Sequence, residues 1–298
     1  MISGDVKQVR EFLASLPDIG SLTLAELRET YDQLGQQFPL PDGVSVTTTD
    51  AGGVNAEWAQ AQNARTDAVI LYLHGGGYVI GSPTSHRHLV AALSQAAGVS
   101  ALAVDYRLSP EHPFPAAVDD AARAYQWLLQ SGVAPSHIVI AGDSCGGGLT
   151  VATLMALRDR GLPLPAAGVC ISSWVDLTIT AESYTTRANV EPIITRESVT
   201  AWAQCYLQGQ DARTPLASPL FADLTGLPPL LIQVGTDEVL LDDSTGLAER
   251  AKAAGVDATL EVWDEMIHVW HYFYPMLREG REAIARIGDF IRLHFGQG

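Results

Sequence analysis

The sequence has no long uninterrupted apolar run near its start, and it has few cysteines. The first twenty residues carry Asp5, Glu11 and Asp18 among their apolar side chains. We therefore expect neither a signal peptide nor membrane insertion, and we expect a cytoplasmic location. Three cysteines in 298 residues are an odd number without the spacing of metal ligands, which predicts free thiols in a reducing compartment. These cysteines are Cys145, Cys170 and Cys205.

Basic side chains are also scarce. The chain has 18 Lys and Arg against 34 Asp and Glu, a net charge of -16. Such a charge repels phosphate backbones and anionic bilayers, so the composition argues against nucleic acid or a membrane surface as a partner. The hydrophobic content of 47% is normal for a globular protein with a full core. The length suits one large α/β domain or two small ones, and we expect one domain with an appendage.

Short apolar runs alternate with helix-compatible segments along most of the chain. Unbroken runs of this length are typical of strands buried on both faces. Alternating strands and helices predict right-handed crossovers and a mostly parallel central sheet flanked by helices, with the ligand site at the carboxyl ends of the strands. The predicted strands cover residues 68–73, 100–104, 137–141, 167–171, 230–234 and 259–263, and the predicted helices cover residues 88–97, 116–130, 147–159 and 243–254.

Two segments lie outside this alternation. Residues 6–16 and 23–35 read as two helices before any strand, and residues 43–62 read as an exposed antiparallel hairpin. A long insertion follows the strand at 167–171 and contains an apolar helical segment at 198–207. Insertions of this length are lids or binding elements, or else surface additions without function. We expect one structural unit with N-terminal cap helices at 1–42, a catalytic domain at 43–176 and 216–298, and a cap insertion at 177–215.

A serine lies between two glycines at the junction of a predicted strand and a predicted helix. The motif is Gly142-Asp143-Ser144-Cys145-Gly146. It is typical of a nucleophile elbow, a strained turn in which the glycines let neighbouring backbone approach while the serine Oγ projects from the strand tip. The alternative is a serine that only caps the helix. Asp143 fits either an electrostatic support of the elbow or a solvated turn residue.

A glycine-rich loop follows the first buried strand. Its sequence is His74-Gly75-Gly76-Gly77, and its unshielded N–H groups suit an oxyanion hole. We predict that Gly76, Gly77 and the N–H of Cys145 form this hole. A flexible loop or a phosphate-binding loop is the alternative, but no Lys or helix follows the glycines directly. His74 is expected to bind the loop backbone, without a role as a base.

An activated serine needs a base, and the base needs an orienting carboxylate. The strand at 230–234 is followed by Gly235-Thr236-Asp237, which predicts the Asp237 carboxylate beside the elbow. The competing acids suit the start of the next helix better, because a helix dipole favours acidic residues there. These competitors are Glu238, Asp242 and Asp243.

His268 is the predicted base. It follows the last predicted strand in a loop, and the order Ser, Asp, His along the chain is the order of α/β-hydrolases. His271 is the rival, at what reads as the start of the final helical region. The two histidines also have the spacing of a zinc pair, but no third ligand is indicated nearby, so no metal is predicted. His86 and His88 read as a polar helix start.

Together these motifs resemble the hormone-sensitive-lipase-like family of the α/β-hydrolase fold, the bacterial family IV esterases. The resemblance covers the chain from about residue 68 onward. It implies a carboxylesterase for short to medium acyl esters without a cofactor, with Ser144 as nucleophile, His268 as base, Asp237 as orienting acid and a cap. The motifs are His74-Gly75-Gly76-Gly77, Asp105-Tyr106-Arg107-Leu108-Ser109-Pro110-Glu111-His112-Pro113-Phe114-Pro115-Ala116, Gly142-Asp143-Ser144-Cys145-Gly146-Gly147, Gly235-Thr236-Asp237-Glu238 and His268-Val269-Trp270.

The sequence departs from the family at Cys145, where the family most often has alanine. The backbone N–H is unaffected, and we expect a thiol that points away from the acyl site rather than a thiol nucleophile. An amide or lactone hydrolase, and a ligand receptor on an inactive hydrolase scaffold, are the alternative functions. A small-molecule ester is the expected partner, and the apolar last strand is a candidate sheet edge for a homodimer.

Overall fold

The computed structural model describes residues 4–17, 20 and 22–295, so parts of the predicted N-terminal cap and of the C-terminal end lie outside the described residues. An eight-stranded sheet forms its centre. The strands are β1 (Val44–Asp50), β2 (Asn55–Ala61), β3 (Arg65–Leu73), β4 (Val99–Val104), β5 (Ile138–Asp143), β6 (Ala167–Ile171), β7 (Leu230–Gly235) and β8 (Ala258–Trp263). Their order across the sheet is β1-β2-β4-β3-β5-β6-β7-β8.

The sheet is mostly parallel, as the alternation of strands and helices predicts. Strands β3 to β8 pair in parallel, whereas β1 and β2 form the predicted antiparallel hairpin and β2 adds antiparallel to β4. The carboxyl ends of the parallel strands therefore meet at one edge, where α/β folds bind ligands. Strand β8 is an outer strand, with Val262 47% exposed. Pairing of two copies through β8 stays a prediction.

Helices cover both faces of the sheet and leave two hydrophobic cores. The helices are α1 (Gly4–Ser15), α2 (Leu24–Gln36), α3 (Pro83–Ala97), α4 (Ala116–Gln130), α5 (Cys145–Asp159), α6 (Ser183–Thr186), α7 (Arg196–Leu207), α8 (Leu241–Ala253) and α9 (Arg278–His294). One core includes buried residues of α4, α5 and α8, and the other includes buried residues of α3 and α9. No helix among the described residues has the length and apolarity of a membrane span.

Helix α3 begins five residues earlier than the sequence pattern predicts. Ser82 caps it by accepting the N–H of Ser85, and Pro83 occupies its first turn, a combination that favours helix initiation. His86 and His88 consequently lie inside the helix, and both are buried. Their interpretation as a polar helix start is wrong.

The long segment between β6 and β7 contains α6 and α7 and is tied to α8. The Asp242 carboxylate accepts the N–H of Ser183 at 2.8 Å. The Asp243 carboxylate accepts the N–H groups of Val175 at 3.1 Å and Asp176 at 3.0 Å. The two acids thus stand in the first turn of α8, as predicted, and fix the course of the inserted segment.

Candidate active site

The turn after β5 has the geometry of a nucleophile elbow. Ser144 has φ 55° and ψ -123°, a region that a residue other than glycine occupies only when its surroundings hold it there. A Cβ on Gly142 would lie 2.3 Å from the Gly146 carbonyl oxygen, and one on Gly146 would lie 2.0 Å from the Leu73 carbonyl oxygen. Both positions require glycine because neighbouring backbone occupies the space of a side chain.

Ser144, His268 and Glu238 form an unbroken hydrogen-bonded relay. His268 Nε2 lies 3.0 Å from Ser144 Oγ, and His268 Nδ1 lies 3.0 Å from Glu238 Oε2. The second oxygen, Glu238 Oε1, accepts the N–H of Gly235 at 2.7 Å and the hydroxyl of Ser172 at 2.8 Å. These contacts fix the carboxylate and let Nδ1 carry the ring proton, which leaves Nε2 to accept the serine proton.

The acid beside His268 is Glu238, so the prediction that Asp237 holds this position is wrong. The Asp237 N–H donates to the Met266 carbonyl, and its carboxylate binds the guanidinium of Arg10 with an N···O distance of 2.6 Å. The turn after β7 thus directs residue 237 toward α1 and residue 238 back toward the elbow. The side chain of Asp237 is 18% exposed, whereas that of Glu238 is fully buried. The longer glutamate reaches the imidazole from the second position of the turn.

The loop after β8 brings His268 to the elbow in a fixed backbone conformation. Val269 has a positive φ of 49°, and its N–H donates to Ser172 Oγ at 3.1 Å. Burial lowers the pKa of His268, but the hydrogen bond and the charge of Glu238 raise it, and the net pKa lies above its ordinary value. A histidine with this pKa accepts a proton readily, which a general base requires.

His271 does not reach the serine. Its Nε2 binds Gln233 Oε1 at 2.7 Å, and the ring is completely buried. Burial lowers the pKa of His271 to about 3, so the ring is neutral and structural. Because His268 Nε2 and Nδ1 face Ser144 and Glu238, the two histidines do not converge as a zinc pair.

The predicted oxyanion loop lies against the elbow. The N–H of Gly75 donates to Asp143 Oδ1 at 3.0 Å, and Gly76 and Gly77 both have positive φ. His74 Nδ1 lies 2.8 Å from the Gly75 carbonyl oxygen, and burial lowers the pKa of His74 to about 3. The histidine is therefore neutral and bound to its own loop.

Asp143 is a buried anchor rather than a solvated turn residue. Its Oδ1 accepts the hydroxyl of Tyr72 at 2.7 Å, and its Oδ2 lies 3.3 Å from His86 Nε2. Burial raises the pKa of Asp143, but the charge and hydrogen bond of His86 and the hydrogen bond of Tyr72 lower it, and the net pKa is below the ordinary value. Asp143 therefore joins the elbow to β3, α3 and the glycine loop.

The Cys145 thiol supports the glycine loop and does not face the serine. Its Sγ accepts the N–H of Tyr78 at 3.2 Å, and the residue is completely buried. Burial raises the pKa of Cys145 to about 12, which keeps the thiol protonated and a poor nucleophile. Tyr78 has a positive φ of 63°, so the sulfur holds an otherwise strained turn at the end of the loop.

Replacing this sulfur is expected to cost stability. Cys145→Ala leaves the buried N–H of Tyr78 without its acceptor and should lower the free energy of unfolding by about 1–3 kcal/mol. Cys145→Ser should lose less because an oxygen replaces the sulfur as acceptor. Urea unfolding measures the difference. Cys170→Ala is the matched control, since the equally buried Cys170 thiol donates to the Gly147 carbonyl and accepts no N–H from the backbone of the described residues. Equal losses for Cys145→Ala and Cys170→Ala would contradict the assigned contact.

The chain also matches a known protein family. A family profile described as alpha/beta hydrolase fold matches residues 70–272, a span that includes the elbow, the glycine loop and the histidine loop. The chain therefore belongs to the α/β-hydrolase fold family. More particularly, relatives that cover nearly its full length place it among the carboxylic ester hydrolases of the bacterial hormone-sensitive-lipase family.

Similar proteins cover nearly the whole chain. The acetyl-hydrolase of Streptomyces hygroscopicus is 48% identical over 303 residues, which cover 100% of this chain and 99% of that protein. An esterase of Acinetobacter venetianus is 36% identical over 89% of this chain and 87% of its own length. A crystal structure of an esterase from the bacterial hormone-sensitive lipase family has a TM-score of 0.96 and 51% identity, and covers 99% of this chain and 100% of that one.

Three side chains near the relay were not predicted from the sequence as site residues. The sequence predicts Glu238 only as a competing acid and gives no indication of Arg10 or Glu191. Arg10 lies on α1, 227 residues from the Asp237 it binds, and Glu191 lies in the insertion. Their closeness to the relay depends on tertiary packing. The sequence offers one signal for Glu238: two acids are adjacent at 237 and 238, and in a turn the side chains of adjacent residues point in different directions, so either acid could face the histidine.

Proposed function

We propose that the chain hydrolyses short- to medium-chain acyl esters through Ser144, His268 and Glu238, by way of an acyl-enzyme. The observation that supports this most strongly is the continuous relay from the serine hydroxyl through the imidazole to a buried carboxylate. Each heavy-atom distance in it is 3.0 Å, within the range for proton transfer between positioned groups. The strained elbow conformation agrees with a nucleophile.

In the proposed mechanism His268 acts first as a base. The Ser144 O–H bond breaks as Nε2 takes the proton, and Oγ forms a bond to the ester carbonyl carbon. The imidazolium then protonates the leaving alcohol, and the acyl group stays on Ser144. Water then gives a proton to the same nitrogen as its oxygen attacks the acyl carbon. The bond from Ser144 Oγ to the acyl carbon breaks, the imidazolium returns the proton to Oγ, and the acid leaves. Glu238 keeps the Nδ1 proton in place and stabilises the imidazolium throughout.

The developing negative charge on the carbonyl oxygen needs donors that are already in place. We assign them to the N–H groups of Gly76, Gly77 and Cys145. The support is the position of the glycine loop against the elbow and its attachment through Asp143 and the Cys145 sulfur. Loss of one such donor costs about 3–4 kcal/mol of barrier in comparable enzymes, so the loop contributes as much as any single side chain.

We also assign the two N-terminal helices and residues 177–215 to a cap over the strand ends. The support is the close packing of α7 on the glycine loop: a Cβ on Gly77 would lie 2.5 Å from the Trp202 ring, and Tyr206 stacks on Tyr78 with 3.8 Å between ring centroids. Aromatic side chains this close to the proposed oxyanion hole leave little room for a long acyl chain. The proposal of short to medium esters rests on this packing.

A series of p-nitrophenyl esters from acetate to laurate tests the substrate class. Crystals of the related protein EstE5 were soaked with p-nitrophenyl butyrate, so this ester is a suitable reference substrate. We expect kcat/KM to be greatest between acetate and hexanoate and to fall by about tenfold or more at laurate, since discrimination follows pocket size. A maximum at laurate would contradict the assigned cap. If the p-nitroanilide of butyric acid were hydrolysed as fast as p-nitrophenyl butyrate, the amide-hydrolase alternative would be favoured.

A further inference from the structure

A second buried carboxyl group stands beside the relay and belongs to the inserted segment. Glu191 precedes α7 and is 7% exposed. Its Oε1 accepts the N–H of Ile193 at 2.9 Å, whereas its Oε2 is buried and has no hydrogen-bond partner among the described residues. Burying a carboxyl group with an unused oxygen costs free energy, so this placement calls for a compensating interaction.

The compensating neighbour is the imidazole. One carboxylate oxygen of Glu191, one of Glu238 and one ring nitrogen of His268 all lie within 4.8 Å of one another. No hydrogen bond joins Glu191 to the imidazole among the described contacts, while Ser144 and Glu238 already occupy the two ring nitrogens. The effect of Glu191 on His268 is therefore electrostatic. At this distance a negative charge stabilises a protonated imidazole.

One guanidinium fixes both acid-bearing segments. Arg10 Nη1 donates to the Val190 carbonyl at 2.7 Å, and Arg10 Nη2 donates to Asp237 Oδ2 at 2.6 Å. Val190 and Asp237 directly precede Glu191 and Glu238 in the chain. Because a guanidinium is planar and its donors are fixed relative to one another, Arg10 holds the two segments at a set separation.

We propose that Glu191 is a positioning residue for the reaction, one that acts through its charge on His268 and is held in place by Arg10. The inference rests on the proposed triad. When Nε2 takes the Ser144 proton, the imidazolium that forms faces the carboxylate of Glu238 and the carboxyl group of Glu191. The inserted segment thereby tunes the basicity of the catalytic histidine as well as covering the site.

The charges around Glu191 determine how the effect depends on pH. Burial raises the pKa of Glu191 to about 7, with the charge of His268 lowering it and that of Glu238 raising it. The charge of Asp143 also raises the pKa of His268. The ion pair of Arg10 with Asp237 lies nearby, on the side of α1. As pH rises through about 7, Glu191 ionises and raises the pKa of His268. Removing this charge therefore moves the protonation of His268 to lower pH.

The test is Glu191→Gln, in which the amide oxygen can still accept the Ile193 N–H. We expect the acid limb of the kcat/KM profile for p-nitrophenyl butyrate to move to lower pH by about 0.5–1 unit. We expect kcat on the plateau to fall by about three- to tenfold with KM changed less than about twofold, the pattern of an interaction made in the transition state. Glu197→Gln is the matched control, because Glu197 is an exposed acid of the same inserted segment; its profile should equal that of the wild type.

Glu191→Asp keeps the charge and should hold the acid limb within about 0.3 unit of the wild-type position. This variant also provides the readout if circular dichroism shows that Glu191→Gln does not fold. The inference would be overturned if folded Glu191→Gln kept the wild-type acid limb and the wild-type plateau kcat, or if its only change were a rise in KM. It would also be overturned if the acid limb of Glu191→Asp shifted by the amount expected for Glu191→Gln. Loss of wild-type activity in EDTA would also overturn the inference, because it would indicate that the carboxylate oxygens of Glu191 and Glu238 bind a cation. A wrong assignment of the triad would be detected separately, because Ser144→Ala would then still hydrolyse the ester.

Discussion

Ser144→Ala is expected to lower kcat for p-nitrophenyl butyrate by about 10⁵- to 10⁶-fold, as removal of the nucleophile does in other serine hydrolases. The reason is that, among the described residues, Ser144 Oγ is the hydroxyl bonded to His268 Nε2, whereas the adjacent Cys145 thiol is buried and bonded to the Tyr78 N–H. Steady-state rates measure the loss, with circular dichroism to show that the fold is kept.

Ser173→Ala is the matched control for this experiment. Ser173 is completely buried, and its Oγ would lie 2.4 Å from a Cβ on Gly147 in the first turn of α5. It takes no part in the relay. Its alanine variant should retain kcat within about threefold, since removing a buried hydroxyl acts mainly on stability. Hydrolysis by Ser144→Ala at the wild-type rate would refute the assignment of the nucleophile.

Glu238→Gln is expected to lower kcat by about 10³- to 10⁴-fold, the size of the effect when the orienting acid of a serine triad becomes an amide. The carboxylate of Glu238 receives three donors, from His268, Ser172 and Gly235. An amide has one oxygen and one NH₂ group, so it cannot accept all three. If the NH₂ group faces His268, the imidazole is forced into the tautomer with its proton on Nε2. If the oxygen faces His268, the N–H of Gly235 and the hydroxyl of Ser172 lose their acceptor. Burst and steady-state kinetics with p-nitrophenyl butyrate measure the loss.

Asp237→Asn separates the two adjacent acids. It removes a charge whose partner is Arg10 on α1 and which has no contact with the imidazole. Because the pair is partly exposed, we expect kcat to change by less than about tenfold. A larger loss in Asp237→Asn than in Glu238→Gln would return the orienting role to Asp237 and contradict the site geometry.

The large features of the fold were predictable because they depend on local patterns. The apolar run at 68–73 lies within β3, the run at 137–141 coincides with β5 from Ile138 onward, and each of the predicted central strands is present. The elbow was predictable for the same reason, since a strand, a Gly-x-Ser-x-Gly turn and a helix are contiguous in sequence. Helix α3 was predicted too short because its start depends on the Ser82 cap rather than on apolar spacing.

The identity of the acid was not predictable in the same way. Asp237 and Glu238 both follow β7, and the choice between them depends on how the turn bends after Gly235. That bend is fixed by the contact of the Asp237 N–H with Met266 and of its carboxylate with Arg10, which are distant in sequence. A one-residue difference in a turn reverses the direction of a side chain, and composition and spacing do not determine it.

Reaction with diethyl p-nitrophenyl phosphate, followed by mass spectrometry of the digested protein, tests the central claim most directly. The phosphorus reacts fastest with a nucleophile that a base has activated. We predict one diethylphosphoryl group per chain, on the peptide that contains Ser144, with p-nitrophenol released and no adduct in Ser144→Ala. An unlabelled protein, as expected of a receptor on an inactive scaffold, or an adduct on Cys145 instead of Ser144, would contradict the account.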